Sequence, residues 1–368
     1  MTNTISQDCD KKILPPPAPS YNHYIDCNAH HPVIAAIDLG TNSCRLLVVR
    51  INIAATRSNY FRLRPKFVSW RVLDSYAKVV GLGEGLHESN YFSDDAINRT
   101  VDALAACRRK LDRYYLQRMR IVATEACRRA ENVGLLVQRV REELNFDIEV
   151  ISSKEEANLA LQGCSPILNT QIPYAIVFDI GGGSTEVVWL RLNTNNKKNP
   201  YDVIDSISLP FGVVTSSEAL QQATDPQLGR SELLNNVKTI LQKFYQKNNI
   251  DQYIENQEVQ VLGSSGTVTT LAAIHLALPQ YERKMVDGLQ INRDDMFLIV
   301  ERILNMSRDE LLEHQYIGFR RVDFIITGSI ILKGICEIFP APWISVADRG
   351  VREGILVSLV RDLTRMRH

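Results

Sequence analysis

"VFDIGGGSTEVVW", residues 177–189, decides how this chain reads. An apolar run ends in Asp179. Gly181, Gly182 and Gly183 follow, then Ser184, Thr185 and Glu186. Next come β-branched and aromatic residues suited to a strand. The glycine turn therefore joins two strands. A dinucleotide fingerprint would lead into a helix, and the phosphate-cradling G-x-x-x-x-G-K-[ST] occurs nowhere in the chain. Glycines between two carboxylates let backbone N–H groups approach an anion with no Cβ in the way. An ordinary hairpin turn is the plainer reading of one such loop.

The loop has an earlier counterpart in "AAIDLGTNSCRLLVV", residues 35–49. Asp38 matches Asp179, Gly40 matches Gly181 and Ser43 matches Ser184. Arg45 falls where Glu186 falls. Two copies with matched acids argue for a duplicated half and for a working loop rather than a plain hairpin. A third loop, "GSSGT" at 263–267, joins a strand to a helix, where N–H groups and the helix dipole can hold phosphate oxygens. Alone it is weak evidence, since many such turns are rich in Gly and Ser.

Bulk properties narrow the partners. The chain has 368 residues, enough for one to three domains, and 45% are apolar. Lys plus Arg and Asp plus Glu are 42 each, so no global charge draws it to nucleic acid or to a membrane surface. An anionic ligand must be met by a local cluster. Seven cysteines without CxxC or metal-type spacing read as a reducing, cytoplasmic setting. No apolar run reaches the length of a membrane span, and no secretory h-region opens the chain. Residues 1–31, with "ILPPPAPS", read as a disordered tail.

From Val33 onward strand and helix patterns alternate, which predicts an α/β fold. The spacing predicts strands at 33–38 and 44–51, and a solvated basic hairpin or insertion over 53–71 (Arg57, Arg62, Arg64, Lys66, Arg71). A helix capped by Ser93 is expected over 94–118, a strand at 119–124, one helical stretch over 125–144 and a strand at 147–152. A further helix at 154–168 carries Glu155 and Glu156 in its first turn. The second half restarts with strands at 174–180 and 186–192, a polar tip at 193–200 and a third strand from 203. Helical regions, the GSSGT unit, a strand-to-helix unit at 321–339 and a last one at 343–363 complete it.

Asp38 and Asp179 end strands just before phosphate-type turns. Carboxylates there suit Mg²⁺, which binds through few carboxylates, waters and phosphate oxygens; they also suit turn caps. No His lies in these motifs, and no Cys lies in a C-x5-R loop. Carboxylates remain to activate water. Glu156 and Glu186 are the candidates, for hydrolysis without a covalent intermediate. "KEEA" taken alone reads rather as a solvated helical turn.

Together these motifs resemble the exopolyphosphatase / guanosine pentaphosphate phosphohydrolase family of the actin-like ATPase superfamily. The resemblance runs from about Val33 to about Arg361. It is carried by "AIDLGTNSCRL", "VVGLGEGL", "VATEACRRAEN", "IEVISSKEEA", "VFDIGGGSTE", "LPFGVV", "GSSGT" and "DRGVREGIL" in that order. It implies two RNase H-like domains with catalysis in the cleft between them. Residues 32–155 plus a C-terminal helix, about 351–368, would form the first, and 156–350 the second. Glu156 takes the family's general-base position. Asp179 and Glu186, with Asp38, would hold Mg²⁺ and the attacking water. Gly181, Gly182, Gly183, Ser184 and Thr185 would form one phosphate loop, and Thr41, Asn42, Ser43 and Arg45 the other. Arg128, the arginine of T-x-x-x-R-x-A-x-N, would neutralise phosphate charge, and Gly266 and Thr267 belong to the third loop. Two departures stand out: Gly81 where Arg is common, and Ser153 where Gly is usual. The chain also has no HD dipeptide, so it resembles a short, two-domain member.

The implied activity is release of terminal phosphate from inorganic polyphosphate, with guanosine pentaphosphate as the alternative substrate. An actin-like ATPase or kinase and a non-catalytic polyphosphate binder are the competing classes. A homodimer is an open expectation, because the sequence does not give the oligomeric state.

Overall fold

The computed structural model describes residues 31–55, 65–193, 200–317 and 321–365. Two mixed sheets carry the chain. The first is built from β1 (Val33–Leu39), β2 (Ser43–Ala55), β3 (Pro65–Val79), β4 (Leu116–Ala123) and β5 (Glu149–Val150), in the order β3-β2-β1-β4-β5. Its helices are α1 (Leu86–Ser89), α2 (Asp94–Leu111), α3 (Glu125–Arg129), α4 (Val133–Leu144) and α5 (Ser153–Cys164). The second sheet contains β6 (Tyr174–Ile180), β7 (Thr185–Leu192), β8 (Tyr201–Leu209), β9 (Val259–Ser264), β10 (Gln290–Asn292) and β11 (Trp343–Ala347), in the order β10-β11-β9-β6-β7-β8. With it go α6 (Val213–Gln222), α7 (Pro226–Lys247), α8 (Ile250–Glu255), α9 (Gly266–His275), α10 (Arg283–Val286), α11 (Arg293–Asn305), α12 (Arg308–Glu313) and α13 (Val322–Ile338), whereas the last helix, α14 (Val351–Arg365), packs on the first sheet.

The duplication read from the two loops is present in the topology. β1 pairs antiparallel with β2 and parallel with β4, and β6 pairs antiparallel with β7 and parallel with β9. Only the antiparallel edge strand β10 lacks a counterpart. The central strands are apolar throughout because both faces are covered. Ala35, Ile37 and Leu39 face α2 and α4, whereas Ile34 and Ala36 face α5 and α14. In the second sheet, Ile176 and Phe178 face the helices α7, α9, α11 and α13. Ala175 and Val177 face α5.

Helix α5 thus lies between the sheets, with Leu159 and Ala160 on the first and Ala157, Leu161 and Cys164 on the second. α14 returns to pack on α5 and β1. Their axes approach closely at two glycines. A Cβ on Gly354 would collide with the Leu159 carbonyl, and one on Gly163 with the Gly350 carbonyl. Ile355 and Leu356 are fully buried at this contact, and each such side chain contributes about 1.5–3 kcal/mol.

Four boundaries differ from expectation. α2 stops at Leu111 rather than continuing to residue 118. The chain turns at Asp112–Tyr115 so that Leu116 can pair with Val33. The stretch 125–144 is two helices: the backbone turns extended at Ala130 (φ −68°, ψ 123°), and Asn132, just before the second helix, exchanges hydrogen bonds with Phe92 (2.8 and 2.9 Å). The strand at 147–152 shrinks to Glu149–Val150 at the sheet edge. The unit at 321–339 contains no strand. Its β-branched run is the buried helix α13, which an apolar run alone cannot distinguish from a strand. The basic segment forms the arms of the β2–β3 hairpin. Arg57, Arg62 and Arg64, most of the expected tail and most of the polar tip lie outside the described residues.

Candidate active site

The two loops share one turn. The Gly40 N–H donates to the Ser43 carbonyl at 3.0 Å, and the Gly181 N–H to the Ser184 carbonyl at 2.9 Å. Asp38 lies in register with Arg45, and Asp179 with Glu186. None of Gly181, Gly182 and Gly183 has a positive φ. Their bare Cα atoms admit close neighbours instead. A Cβ on Gly182 would sit 2.9 Å from Thr41 Cβ, and one on Gly183 would strike Glu125 Oε2 and lie 2.9 Å from Thr41 Oγ1. The loops of the two halves therefore face each other directly. The glycine-loop carbonyls turn toward α6, where Val213 N–H donates to Gly181 (3.0 Å) and Val214 N–H to Gly182 (2.8 Å).

Carboxylates converge where the loops meet. Glu186 is 3% exposed and accepts from Ser184 Oγ at 2.7 Å and Ser208 Oγ at 2.9 Å. Burial raises its pKa to about 7; Asp179 adds to the rise while the two serines and Arg128 oppose it. Asp179 is raised to about 6, again chiefly by burial, with Asp38 reinforcing and Arg45 and Ser264 opposing. Asp38 is raised by burial against the charges of Arg45 and Arg352.

Glu156 comes from the start of α5. Ser152 caps that helix by accepting from the Glu155 N–H at 3.2 Å. The two glutamates then part company. Glu155 pairs outward with Arg120 at 2.5 Å, while Glu156 turns inward and pairs with Arg128 at 2.8 Å. Arg128 is fixed in turn by the Ile151 carbonyl at 2.9 Å. Burial first, then the charge of Glu186, hold the Glu156 carboxyl well above its ordinary range, with Arg128 opposing. The acids of both halves therefore share one electrostatic environment. The Ser153 departure falls at the first residue of α5, and Gly81 has φ 58°, a backbone where glycine is favoured.

The remaining predicted residues take varied places. Thr41 is buried and its carbonyl accepts from Gly83 N–H; the Asn42 carbonyl accepts from Val80 and Gly81. Ser43 opens β2, and Arg45 lies two residues on, its charge felt at both Asp38 and Asp179. Thr185 spends its hydroxyl on the Phe211 carbonyl at 2.7 Å. Gly266 opens α9 with free space around it, whereas Thr267 packs against Gly328 of α13. Ser264, in register with Asp179, donates to the Arg349 carbonyl at 2.6 Å and ties the "DRG" turn to this strand end.

Sequence reasoning did not single out Ser208, Glu125, Arg352 or Glu353. Ser208 was accessible in principle, since it lies in register with Glu186 on the next strand. Among the described residues the free thiols are buried, and burial pushes Cys127, beside Arg128, up to about 12, away from the thiolate form. No group of three or more His, Cys, Asp or Glu forms a ready metal cage among the described residues.

Two facing glycine loops with buried carboxylates between duplicated sheets define a phosphate-handling hydrolase of the actin-like kind. Residues 66–363 match the Ppx/GppA phosphatase family, and the chain belongs to it. Members of that family are phosphoanhydride hydrolases. The chain is 25% identical to exopolyphosphatase 2 of Mycobacterium tuberculosis, across 89% of this chain and 98% of that protein. It is 28% identical to the guanosine-5'-triphosphate,3'-diphosphate pyrophosphatase of Vibrio atlanticus, across 89% of this chain but 59% of that one. It spans about half the length of another curated relative, 46%. The crystal structure of the Aquifex aeolicus Ppx/GppA family member superposes with a TM-score of 0.69 at 25% identity, covering 90% of this chain and 98% of that chain. The two-domain actin-like architecture expected from sequence is therefore the fold. No helix among the described residues is long and apolar enough to cross a membrane.

Proposed function

We propose that the protein is an exopolyphosphatase that releases terminal phosphate from inorganic polyphosphate by attack of water. The observation that carries this is the pairing of Glu156 of α5 with Glu186 of β7, two buried carboxylates close enough for the charge of one to act on the other, beside the glycine loop. Glu156 is the base. Arg128 fixes its carboxylate, and burial raises the proton affinity of that carboxylate, which strengthens it as a base. Glu186, held by Ser184 and Ser208, orients the water. Arg45 and Arg128, with the N–H groups of Thr41–Ser43 and of Gly182–Ser184, meet the charge of the phosphate chain, while the Gly181 N–H is already held by the Ser184 carbonyl. The opening of α9 at Gly266 and Thr267 extends that cradle.

The donors fit a hard divalent cation. Asp38 and Asp179 are half-buried and Glu186 is buried; the charge of Asp38 raises Asp179 and that of Asp179 raises Glu186, and a carboxylate oxygen of Glu125 beside Gly183 has no hydrogen-bond donor. We assign Mg²⁺ to Asp179 and Glu186, with Asp38 on the facing loop. When bound, the cation supplies charge neutralisation on the phosphate chain. The division into 32–155 plus the C-terminal helix, and 156–350, remains our proposed domain scheme. It puts α5 at the seam. Five buried free cysteines fit a reducing, cytoplasmic setting.

Near-complete coverage of exopolyphosphatase 2 supports polyphosphate as the first substrate. The 28% identity to the guanosine pentaphosphate enzyme supports that nucleotide as the second. Phosphate release from each substrate, with and without Mg²⁺, tests the proposal. Cation-dependent release from polyphosphate is expected. Turnover of ATP alone would support the ATPase class instead, and tight binding without release a non-catalytic binder.

A further inference from the structure

Four buried side-chain oxygens among the described residues have no hydrogen-bond partner, and one of them belongs to a carboxylate: Glu125 Oε2. The other oxygen of that group makes only a 3.5 Å contact with Arg129. Glu125 opens α3, three residues before Arg128, and its side chain is 14% exposed. Oε2 points across the cleft. It fills the space a Cβ on Gly183 would take, and Thr41 Oγ1 lies 2.9 Å from that same point. The orphan oxygen is thus at the seam of the two loops.

A shielded carboxylate oxygen without a donor is costly and calls for a partner. A phosphate oxygen cannot serve, since it would be repelled. A cation, or a water polarised by one, can. Mg²⁺ dehydrates reluctantly and keeps several waters, and no group of three or more acids forms a direct cage among the described residues. An outer-shell role follows. We propose that Glu125 is a positioning residue for the cation: its Oε2 accepts a hydrogen bond from a cation-bound water and strengthens the hold of Asp179 and Glu186. This rests on the reading of those two residues as the cation's holders.

Mn²⁺ binding to the full chain, followed by electron paramagnetic resonance without substrate, tests this. Glu125→Ala should weaken Mn²⁺ about 10-fold or more, the scale of losing an outer-shell partner. Glu125→Gln keeps an acceptor oxygen without the charge and should fall between. Glu125→Asp should recover part of the loss. Melting in a chelator should show Glu125→Ala at least as stable as the parent, because a buried oxygen without a donor has gone. Glu186→Gln serves as the control for the underlying assignment. If Glu125→Ala binds Mn²⁺ within twofold of the parent while Glu186→Gln loses it, the role of Glu125 is overturned. If Glu186→Gln also keeps the parent affinity, the cation assignment itself falls, and the proposal with it.

Discussion

The loops after β1 and β6 are the same device with one charge reversed. Each begins with an aspartate at a strand end and closes on the same Gly-to-Ser backbone bond, 3.0 Å in one and 2.9 Å in the other. Opposite the aspartate, the first loop carries Arg45 and the second carries Glu186. Duplication supplied two equal scaffolds, and in the proposed mechanism that position sets them different tasks: Arg45 in the first half would meet an anionic chain, and Glu186 in the second would serve the water and the cation. The halves become one site because Gly182 and Gly183 let Thr41 and Glu125 approach without side chains between them.

If the tasks differ, variants at the two equivalent positions should fail differently. Glu186→Gln should lower kcat for phosphate release by roughly 10²–10⁴, the usual range for losing a positioned acid or base. Arg45→Gln should chiefly raise KM, by roughly 10-fold or more, since a hydrogen bond to a charged group contributes about 1.5–3 kcal/mol. Matching kinetic profiles from the two variants would erase the distinction drawn here.

Gly182→Val probes the contact between the loops. Its Cβ would sit 2.9 Å from Thr41 Cβ and 3.4 Å from Asn42 N, so the loops must part. A displacement of about 1 Å can cost on the order of 100-fold in rate. We expect kcat to fall and KM to rise together, with a modest change in melting temperature. Unfolding, or unchanged kinetics, would reduce the triple glycine to a structural turn.

The smallest expected effect concerns pH. Asp179 and Glu186 are raised to about 6 and about 7, so the folded protein holds their protons more tightly than the unfolded chain does. Their contribution to stability is fully present below the ordinary carboxylate range and is lost as pH rises through those values. Cation-free protein should therefore melt roughly 3 °C or more lower at pH 8 than at pH 5.5. Mg²⁺ should remove much of that drop, and Glu186→Gln should shrink it. A melting temperature that rises over this interval in chelator would contradict the burial of these acids.

Much of this was legible in the sequence because it rests on local chemistry. The apolar runs ending in Asp38 and Asp179 gave both central strands, and the matched loops gave the duplication. Glu156, Glu186 and Arg128 were found as motif residues, and the structure brings them together. What the sequence hid depends on distant partners. The helical pattern breaks at Ala130, where the chain turns so that Asn132 meets Phe92. The β-branched start of α13 looks like a strand until neighbours bury the helix. The glycines looked like room for an anion, and nothing local revealed that Thr41 and Glu125 reach toward them. Glu125 itself lay inside a quoted motif, but only its orphaned oxygen across the cleft marks it out.

The account stands on Glu156 as the base. Single-turnover phosphate release by Glu156→Gln, with polyphosphate binding measured on the same protein, tests it most directly. We predict near-parent binding with release slowed roughly 10²–10⁴-fold. Release within threefold of the parent would contradict the account, and would remove Glu156 from the mechanism.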